Sequence, residues 1–333
     1  MRDPRVSFLV VNWNGEEFLE ECLKSIAGQS YKNFEIIVVD NASTDHSRSF
    51  LQQRNDIQLI LNDSNLGFGK ANNQALTVSK GEFVAFINND VVLDSQWLER
   101  MLEPLLHRKE AGMCAGKTLS YQQRDVIDNT GHLLYWDGLN RGRGRMQKDC
   151  GQFDSVHDAL LPSGCASLYR AEMLQQIGYF DEEFYLYGDD TELGMRARLA
   201  GFECAFAPTA IAYHRYSAST SPYHPLKFFY VERNRLWVAL KYFPAELLLL
   251  NPLFSFVRYV FHFIALMEHK GVSGEFAKNE PWWKLFGLWF RAQISGWGAA
   301  PHFLRKRKSL NRRRFYQCFL PNRIGVKEIA FIP

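Results

Sequence analysis

Four short apolar runs open the chain at close intervals: Val6–Val11 (VSFLVV), Phe34–Val39 (FEIIVV), Ile57–Leu61 (IQLIL) and Phe83–Ile87 (FVAFI). They are rich in β-branched and aromatic residues and do not alternate with polar ones, the pattern of strands buried on both faces. The segments between them carry a helical period. EEFLEECLKSIAGQ repeats apolar positions at Phe18, Leu19, Cys22, Leu23 and Ile26, and STDHSRSFLQQ opens on the capping candidates Ser43 and Thr44. This alternation predicts an α/β fold with a parallel sheet, helices on both faces and right-handed crossovers.

Beyond Arg108 the pattern predicts a further strand in AGMCAGKTL and a mobile loop in RGRGRMQKDCG. It then predicts a helix over Ala171–Ile177, a helix entered through Asp189–Thr191, and short strands at Glu203–Phe206 and Ala210–Tyr213. From about Pro225 the chain turns aromatic, aliphatic and basic. Leu236 to Met267 has the look of a membrane span, but Lys241, Pro244, Glu246, Pro252 and Arg258 interrupt it. A spanning helix needs roughly 20 mostly apolar residues, so crossing is not expected. Trp282, Trp283, Trp289 and Trp297 stand just ahead of the basic run RKRKSLNRRR at 305–314. Tryptophans beside Lys and Arg suit helices lying among lipid headgroups; the alternative is a packed helical subdomain with a solvated basic tail. The organisation expected is a domain over residues 1–220 and a helical, membrane-associated region over 221–333.

Composition narrows the class. With 47% hydrophobic and 23% charged residues the 333-residue chain is globular, and a net charge of +3 argues against a nucleic-acid binder. Seven basic residues sit in the 305–314 run, so the rest of the chain is slightly acidic. Six cysteines at 22, 114, 150, 165, 204 and 318 show no paired metal spacing, and the N-terminal apolar run is too short for a secretory core. Both features fit a reducing, cytoplasmic setting.

The strand ends carry the chemistry. Asn12, Asp40-Asn41, Asn62 with Asn65, and Asn88-Asn89-Asp90 follow successive strands and converge on one rim, where ligands of parallel sheets bind. Neither G-x-G-x-x-G nor a phosphate loop is present: the first turn reads NWNGEE, and Ser64 and Ala71 spoil the match around GFGK. Acids remain. Asp40 can accept from a pyrimidine imino N–H or cap a turn, and Asp90 can bind a hard cation or end a turn. GDDTE places Asp189, Asp190 and Glu192 together among aromatics, fit for a general base or for a salt-bridge cluster with Arg196 and Arg198. His214 ends a strand and is either packed or a metal ligand.

In their order, VSFLVVNWNGEEFLEECLKSI, EIIVVDNASTD, NLGFGKANN, FINNDVVLD, PSGCASLYRAEMLQQIGYFDEEFYLYGDDTELGMRARLAGF and AIAYH resemble the family 2 inverting glycosyltransferases of the GT-A fold, particularly the rhamnosyltransferase-like branch. The likeness covers roughly residues 5 to 215. It implies a GT-A domain with a mainly parallel central sheet and a C-terminal helical region. By that resemblance Asp40 recognises the nucleobase, with Asn12, Asn65, Lys70 and Asn89 as further donor contacts. NND at 88–90 stands where the family has D-x-D, so Asp90 is the ligand retained for Mg²⁺ or Mn²⁺, joined by His214. Asp190 corresponds to the catalytic base, while Asp189 replaces a more usual Glu and, with Glu192, stands on the acceptor side. The implied reaction moves a sugar, rhamnose by the branch it resembles, from a dTDP- or UDP-sugar to a saccharide or lipid-linked acceptor at an anionic membrane surface. Two rivals are a sugar nucleotidyltransferase, for which NWNGEE lacks a triphosphate loop, and a non-catalytic carbohydrate-binding protein, which would not need GDDTE.

Overall fold

The computed structural model describes residues 5–215, 224–279, 281–307 and 310–332. The expected domain boundary at 220, Lys308 and Ser309 of the basic run, and the side chain of Trp282 lie outside the described residues.

The strands are β1 (Val6–Asn12), β2 (Phe34–Asp40), β3 (Gln58–Leu61), β4 (Phe83–Asn88), β5 (Val91–Leu93), β6 (Ala111–Ser120), β7 (Ile127–Asn129), β8 (His132–Leu134), β9 (Asn140–Gly142), β10 (Asp158–Ala159), β11 (Ala166–Arg170) and β12 (Glu203–His214). The first helices are α1 (Leu19–Ala27), α2 (Ser47–Gln52), α3 (Phe68–Val78), α4 (Trp97–His107), α5 (Ala171–Ile177) and α6 (Asp189–Ala200). The C-terminal region adds α7 (Pro225–Tyr242), α8 (Ala245–Met267), α9 (Gly271–Asn279), α10 (Trp282–Gly298), α11 (Ala300–Lys306), α12 (Arg312–Phe319) and α13 (Val326–Phe331).

The main sheet runs β10-β12-β6-β11-β4-β1-β2-β3, with β5 on β12 and β7 on β6. β3, β2, β1 and β4 are parallel, as the opening runs predict. β11 inserts antiparallel between β4 and β6, and β12 returns parallel to β6. The period-two geometry of a strand divides the core. Val6, Phe8 and Val10 face a cluster with Leu23 of α1 and Trp97 and Met101 of α4, whereas Leu9 faces Ala75 of α3, Tyr169 of β11 and Leu193 of α6.

Three local expectations are corrected. Helix α2 starts at Ser47 and not at Ser43–Thr44, because the Ser43 hydroxyl is engaged by Asn12 and by the Asn14 amide. The two short strands expected after Gly201 are one strand, β12, with a register shift between Ala207 and Ile211. The RGRGR stretch, expected to be mobile, is pinned by its own arginines. Arg143 donates to the Thr130 and Asp158 carbonyls, Arg145 to Asp128 at 2.6 Å, and Arg141 to the Ile329 carbonyl at 3.2 Å.

A third core joins the C-terminal helices to the sheet domain: Leu134, Leu161, Phe184 and Met195 pack with Trp237, Phe243, Phe303, Phe315 and Phe319. Helix α8 runs unbroken through Pro252 and Arg258, and by length and composition alone it could cross a membrane. Arg258, however, is buried against Glu232 of α7 and Asp137 of the β8–β9 turn. Parts of the basic run are also tied down, since Arg314 donates to the Arg198 carbonyl and Arg312 to Glu246, each at 2.5 Å.

Candidate active site

A cavity of about 890 Å³ opens at the carboxyl ends of β1 and β4, closed on its other sides by β7–β9, the turn before α6, and α7. Asn89, Asp90, Asp189, Asp190 and His214 all line it, although they come from separate parts of the chain.

Asp90 leaves β4 in the turn to β5, and His214 ends β12, which pairs with β5. That pairing brings His214 Nε2 to 3.5 Å from Asp90 Oδ1, while its Nδ1 lies 2.7 Å from Asp128 Oδ2. Burial disfavours the charged imidazole, but Asp90, with help from Asp128, more than reverses this and holds its pKa well above the ordinary value. Burial likewise opposes the Asp128 carboxylate, yet its bond to His214 and the nearby Arg145 charge pull its pKa down to about 2. The ligand atoms of Asp128, Cys165 and His214 lie within 4.8 Å of one another. Carboxylate oxygens with an imidazole, gathered in a buried pocket, are a donor set that fits a divalent cation.

Asp190 stands in the first turn of α6 and lines the same cavity. Its Oδ1 accepts from the Thr191 amide at 2.6 Å and its Oδ2 from the Gly164 amide at 3.0 Å. His132 Nδ1 lies 3.8 Å from Oδ2 and is itself bonded to Asn140 at 3.0 Å. Burial lowers the pKa of His132, so a neutral ring faces the carboxylate.

The approach to Asp190 is strained. Tyr185 and Tyr187 have φ of 65° and 62°, and Gly188 has 77°. Left-handed conformations cost a tyrosine on the order of 1–3 kcal/mol and persist only when the surroundings impose them. Here Asn234 of α7, fully buried, imposes them: its amide donates to the Phe184, Leu186 and Tyr187 carbonyls at 3.0, 2.8 and 2.6 Å. A C-terminal helix thereby fixes the turn that presents Asp190.

Asp189 is buried beside it, with Oδ1 on the Asp190 amide and Oδ2 without a hydrogen-bond partner among the described residues. Burial first, then the Asp190 charge, raises its pKa to about 8. Between the usual carboxylate value of about 4 and this one, the folded chain keeps a proton that the unfolded chain releases, so stability falls as pH rises. Asp189→Asn should therefore leave the melting temperature nearly unchanged at about pH 4 and raise it increasingly toward pH 9. Parallel melting curves across that range would discount this ionisation.

The other expected residues are placed differently. Asp40 is fully buried behind the cavity wall: Asn12 Nδ2 donates to its Oδ2 at 3.1 Å and the Ser43 amide to its Oδ1 at 3.2 Å. Asn12 in turn accepts from Asn89 at 2.9 Å, so Asp40 reaches the cavity only through this relay. The relay requires Gly15, where a Cβ would stand 2.2 Å from Asn89 Nδ2 and 2.3 Å from Asn12 Oδ1. Asn65 lines the cavity and holds the Gly67 amide. Lys70 does not line it; its ammonium lies 3.7 Å from Glu182. Glu192 is buried on the far side of α6, bonded to Arg196 at 2.7 Å, Lys241 at 2.5 Å and the Tyr242 hydroxyl. That arrangement corrects the acceptor-side expectation for Glu192, because both oxygens are held by the protein and neither faces the cavity.

Fold and site define a protein class that comparison makes explicit. The family model for Glycosyl transferase family 2 matches residues 7–178, and the chain belongs to that family. The match ends before Asp190 and His214. Among curated relatives, the chain is 32% identical over 144 residues to the putative teichuronic acid biosynthesis glycosyltransferase TuaG of Bacillus subtilis, covering 41% of this chain and 57% of the relative. It is 28% identical over 227 residues to the O-antigen biosynthesis protein RfbC of Myxococcus xanthus, covering 65% of this chain and 18% of that one. The chain spans about half or less of the curated relatives it matches. Of solved structures, S. aureus TarS 1-349 superposes with a TM-score of 0.55 at 22% identity over 97% of this chain and 90% of that one. The mannosyltransferase PcManGT of Pyrobaculum calidifontis, in complex with GDP-Man and Mn²⁺, gives 0.56 at 16% over 90% and 88%. At such identities the likeness establishes the fold, which is GT-A.

Proposed function

We propose that the chain is a metal-dependent inverting glycosyltransferase taking its sugar from a nucleoside diphosphate donor. The observation that carries this reading is the opening of Asp90, His214 and Asp190 onto one cavity. Asp90 and His214 would hold Mg²⁺ or Mn²⁺, whose charge, when bound, would offset that developing on the departing diphosphate. Asp128 keeps His214 Nδ1 occupied, which fixes the ring with Nε2 toward Asp90. Asp190 receives the acceptor hydroxyl's proton as that oxygen bonds to the anomeric carbon and the bond to the diphosphate breaks. The attack comes from the opposite face, so configuration inverts. Asn65 and Asn89 contact the donor, with the fully buried Asn12 and Asp40 acting through Asn89 and not directly on the base. Lys70, which does not line the cavity and pairs with Glu182, is left out of the donor contacts. Asp189 stands on the acceptor side.

Domain and partner assignments follow the same reading: a GT-A domain over 1–220 and a membrane-associated helical region over 221–333. The solved neighbours PcManGT and TarS 1-349 form complexes with GDP-Man and with UDP or UDP-GlcNAc, which supports a nucleotide-sugar donor for this chain. The names of TuaG and RfbC support a saccharide or lipid-linked acceptor in cell-surface polysaccharide synthesis, worked on at the cytoplasmic membrane face. Rhamnose from its dTDP donor is the branch-level choice.

Melting the protein with Mn²⁺ and a panel of nucleotide sugars tests the donor, because a ligand that binds only the folded state raises stability with its affinity. One nucleotide sugar should stand out; no stabilisation by any member would sink the reading. Asp128→Asn should weaken Mn²⁺ binding by about 10–100-fold, the usual cost of losing a carboxylate that orients a ligating histidine. Mn²⁺ titration followed by electron paramagnetic resonance reads this without any turnover.

A further inference from the structure

Helix α8 is inside out for a helix in water. Its polar residues Asn251, Ser255 and Arg258 are buried, while Leu249, Leu253, Phe256, Val260, Phe263 and Met267 form an exposed stripe at alternating four- and three-residue steps. Leu249 and Phe256 are 83% and 64% exposed. Helix α10 repeats the arrangement with Trp283, Phe286, Phe290, Ile294 and Trp297. The two helices touch: the Tyr259 and Trp289 rings are 5.6 Å apart and Gln293 donates to the Tyr259 hydroxyl at 3.3 Å. Of the 20 exposed large hydrophobic residues among the described ones, 14 lie between Leu249 and Leu304, a concentration far beyond the scattered apolar residues of ordinary surfaces.

We infer that the apolar faces of α8 and α10 form one docking surface for an anionic lipid bilayer, on which the chain lies without crossing it. The inference rests on the membrane-surface reading above and adds the residues that enter the bilayer. Charge selects the occupant. No carboxylate occurs in 247–267 or 282–306, while Lys284, Arg291 and Arg305 are exposed there. A second copy seated on this face about a two-fold axis would set cation against cation; anionic headgroups complement it. Crossing is opposed by the other face of α8, where Arg258 bonds Asp137 at 2.7 Å and Glu232 at 2.8 and 2.9 Å. A span would have to carry that guanidinium away from both acids into hydrocarbon. Helix α7 packs on α10 and also lines the cavity through Tyr230 and Asn234, so the surface and the site share one element.

Flotation of the full chain with phosphatidylcholine vesicles, with and without phosphatidylglycerol, tests the inference. The wild type should float with the phosphatidylglycerol vesicles, more weakly with phosphatidylcholine alone, and be released by alkaline carbonate. Phe256→Glu and Phe290→Glu, both at exposed positions that leave the core intact, should each lower partitioning by about tenfold or more, as expected when a charge replaces a buried phenyl ring. Unchanged partitioning in both variants would overturn the proposal. So would carbonate resistance, which means spanning, or Glu variants that turn an oligomer into a monomer by light scattering, which means a second copy. Repeating flotation with Asp190→Asn separates the two readings: a chain without turnover that still floats leaves docking intact, and an active chain that does not float leaves catalysis intact.

Discussion

Asp190→Asn is expected to lower turnover by about 10²–10⁴-fold, the range a positioned general base contributes, while the donor dissociation constant stays within a few-fold. The amide nearly matches the carboxylate in size and can still accept the Thr191 amide hydrogen bond through its oxygen. Its NH₂ must then face the Gly164 amide or turn toward His132, a local disturbance and not an unfolding one. The proton acceptor is lost outright. The split between turnover and donor binding is what distinguishes this role: a residue that only shaped the turn would disturb both. Single-turnover assays with donor affinity measured by calorimetry give the two numbers, and a variant retaining a tenth or more of normal turnover would remove Asp190 from the base role.

The sheet was legible because its strands are buried on both faces, so an uninterrupted apolar run followed by a polar residue marks both the strand and the rim it points to. The same logic located Asn12, Asp40 and Asp90 at strand ends. It could not tell which of them face outward. Asp40 differs from Asp90 only in what lies above it, the Asn12–Asn89 relay closed over by Gly15, and that relay is assembled from residues more than seventy positions apart. Asp128 and His132 were missed for a related reason: VIDNTGH forms two short strands with no periodic signal, and a clue was available only in an acid and a histidine four residues apart in an otherwise uncharged stretch. Asn234 was invisible, since one asparagine among the arginines of a helix gives no hint that three carbonyls of a strained turn wait for it. Charge counting misled in the C-terminal region. Arg258 was read as an interruption of an apolar segment, whereas it sits on the inward face of a continuous helix.

Removing that arginine should have the largest effect on stability. Arg258→Leu is expected to cost about 3–5 kcal/mol, because deleting one partner from a fully buried ion cluster leaves the others' charges uncompensated. Arg258 forks onto both Glu232 oxygens and reaches Asp137, while Arg235 bonds Glu232 at 2.9 Å and lies 3.4 Å from Asp137. Two acids would then share one guanidinium away from water. Burial opposes the Glu232 carboxylate, but Arg258 and Arg235 hold its pKa far below the usual range, and they hold that of Asp137 below it as well. Depressed carboxylates contribute stability that is present above their unfolded values, about 4, and is lost as pH falls. The wild type should accordingly weaken on acidification below about pH 4, and the variant, with its acids less firmly held, should show a shallower dependence there. Chemical denaturation followed by far-UV circular dichroism at pH 7 and pH 3.5 measures both effects. Adding Glu232→Gln to Arg258→Leu should restore part of the loss by removing the stranded charge. A loss under about 1 kcal/mol at pH 7 would mean that water reaches the cluster, since exposed pairs contribute no more than that. The consequence extends to the site: Glu232, Asn234 and Arg235 belong to one helical turn of α7, so slackening the cluster frees the clamp on the turn that presents Asp190.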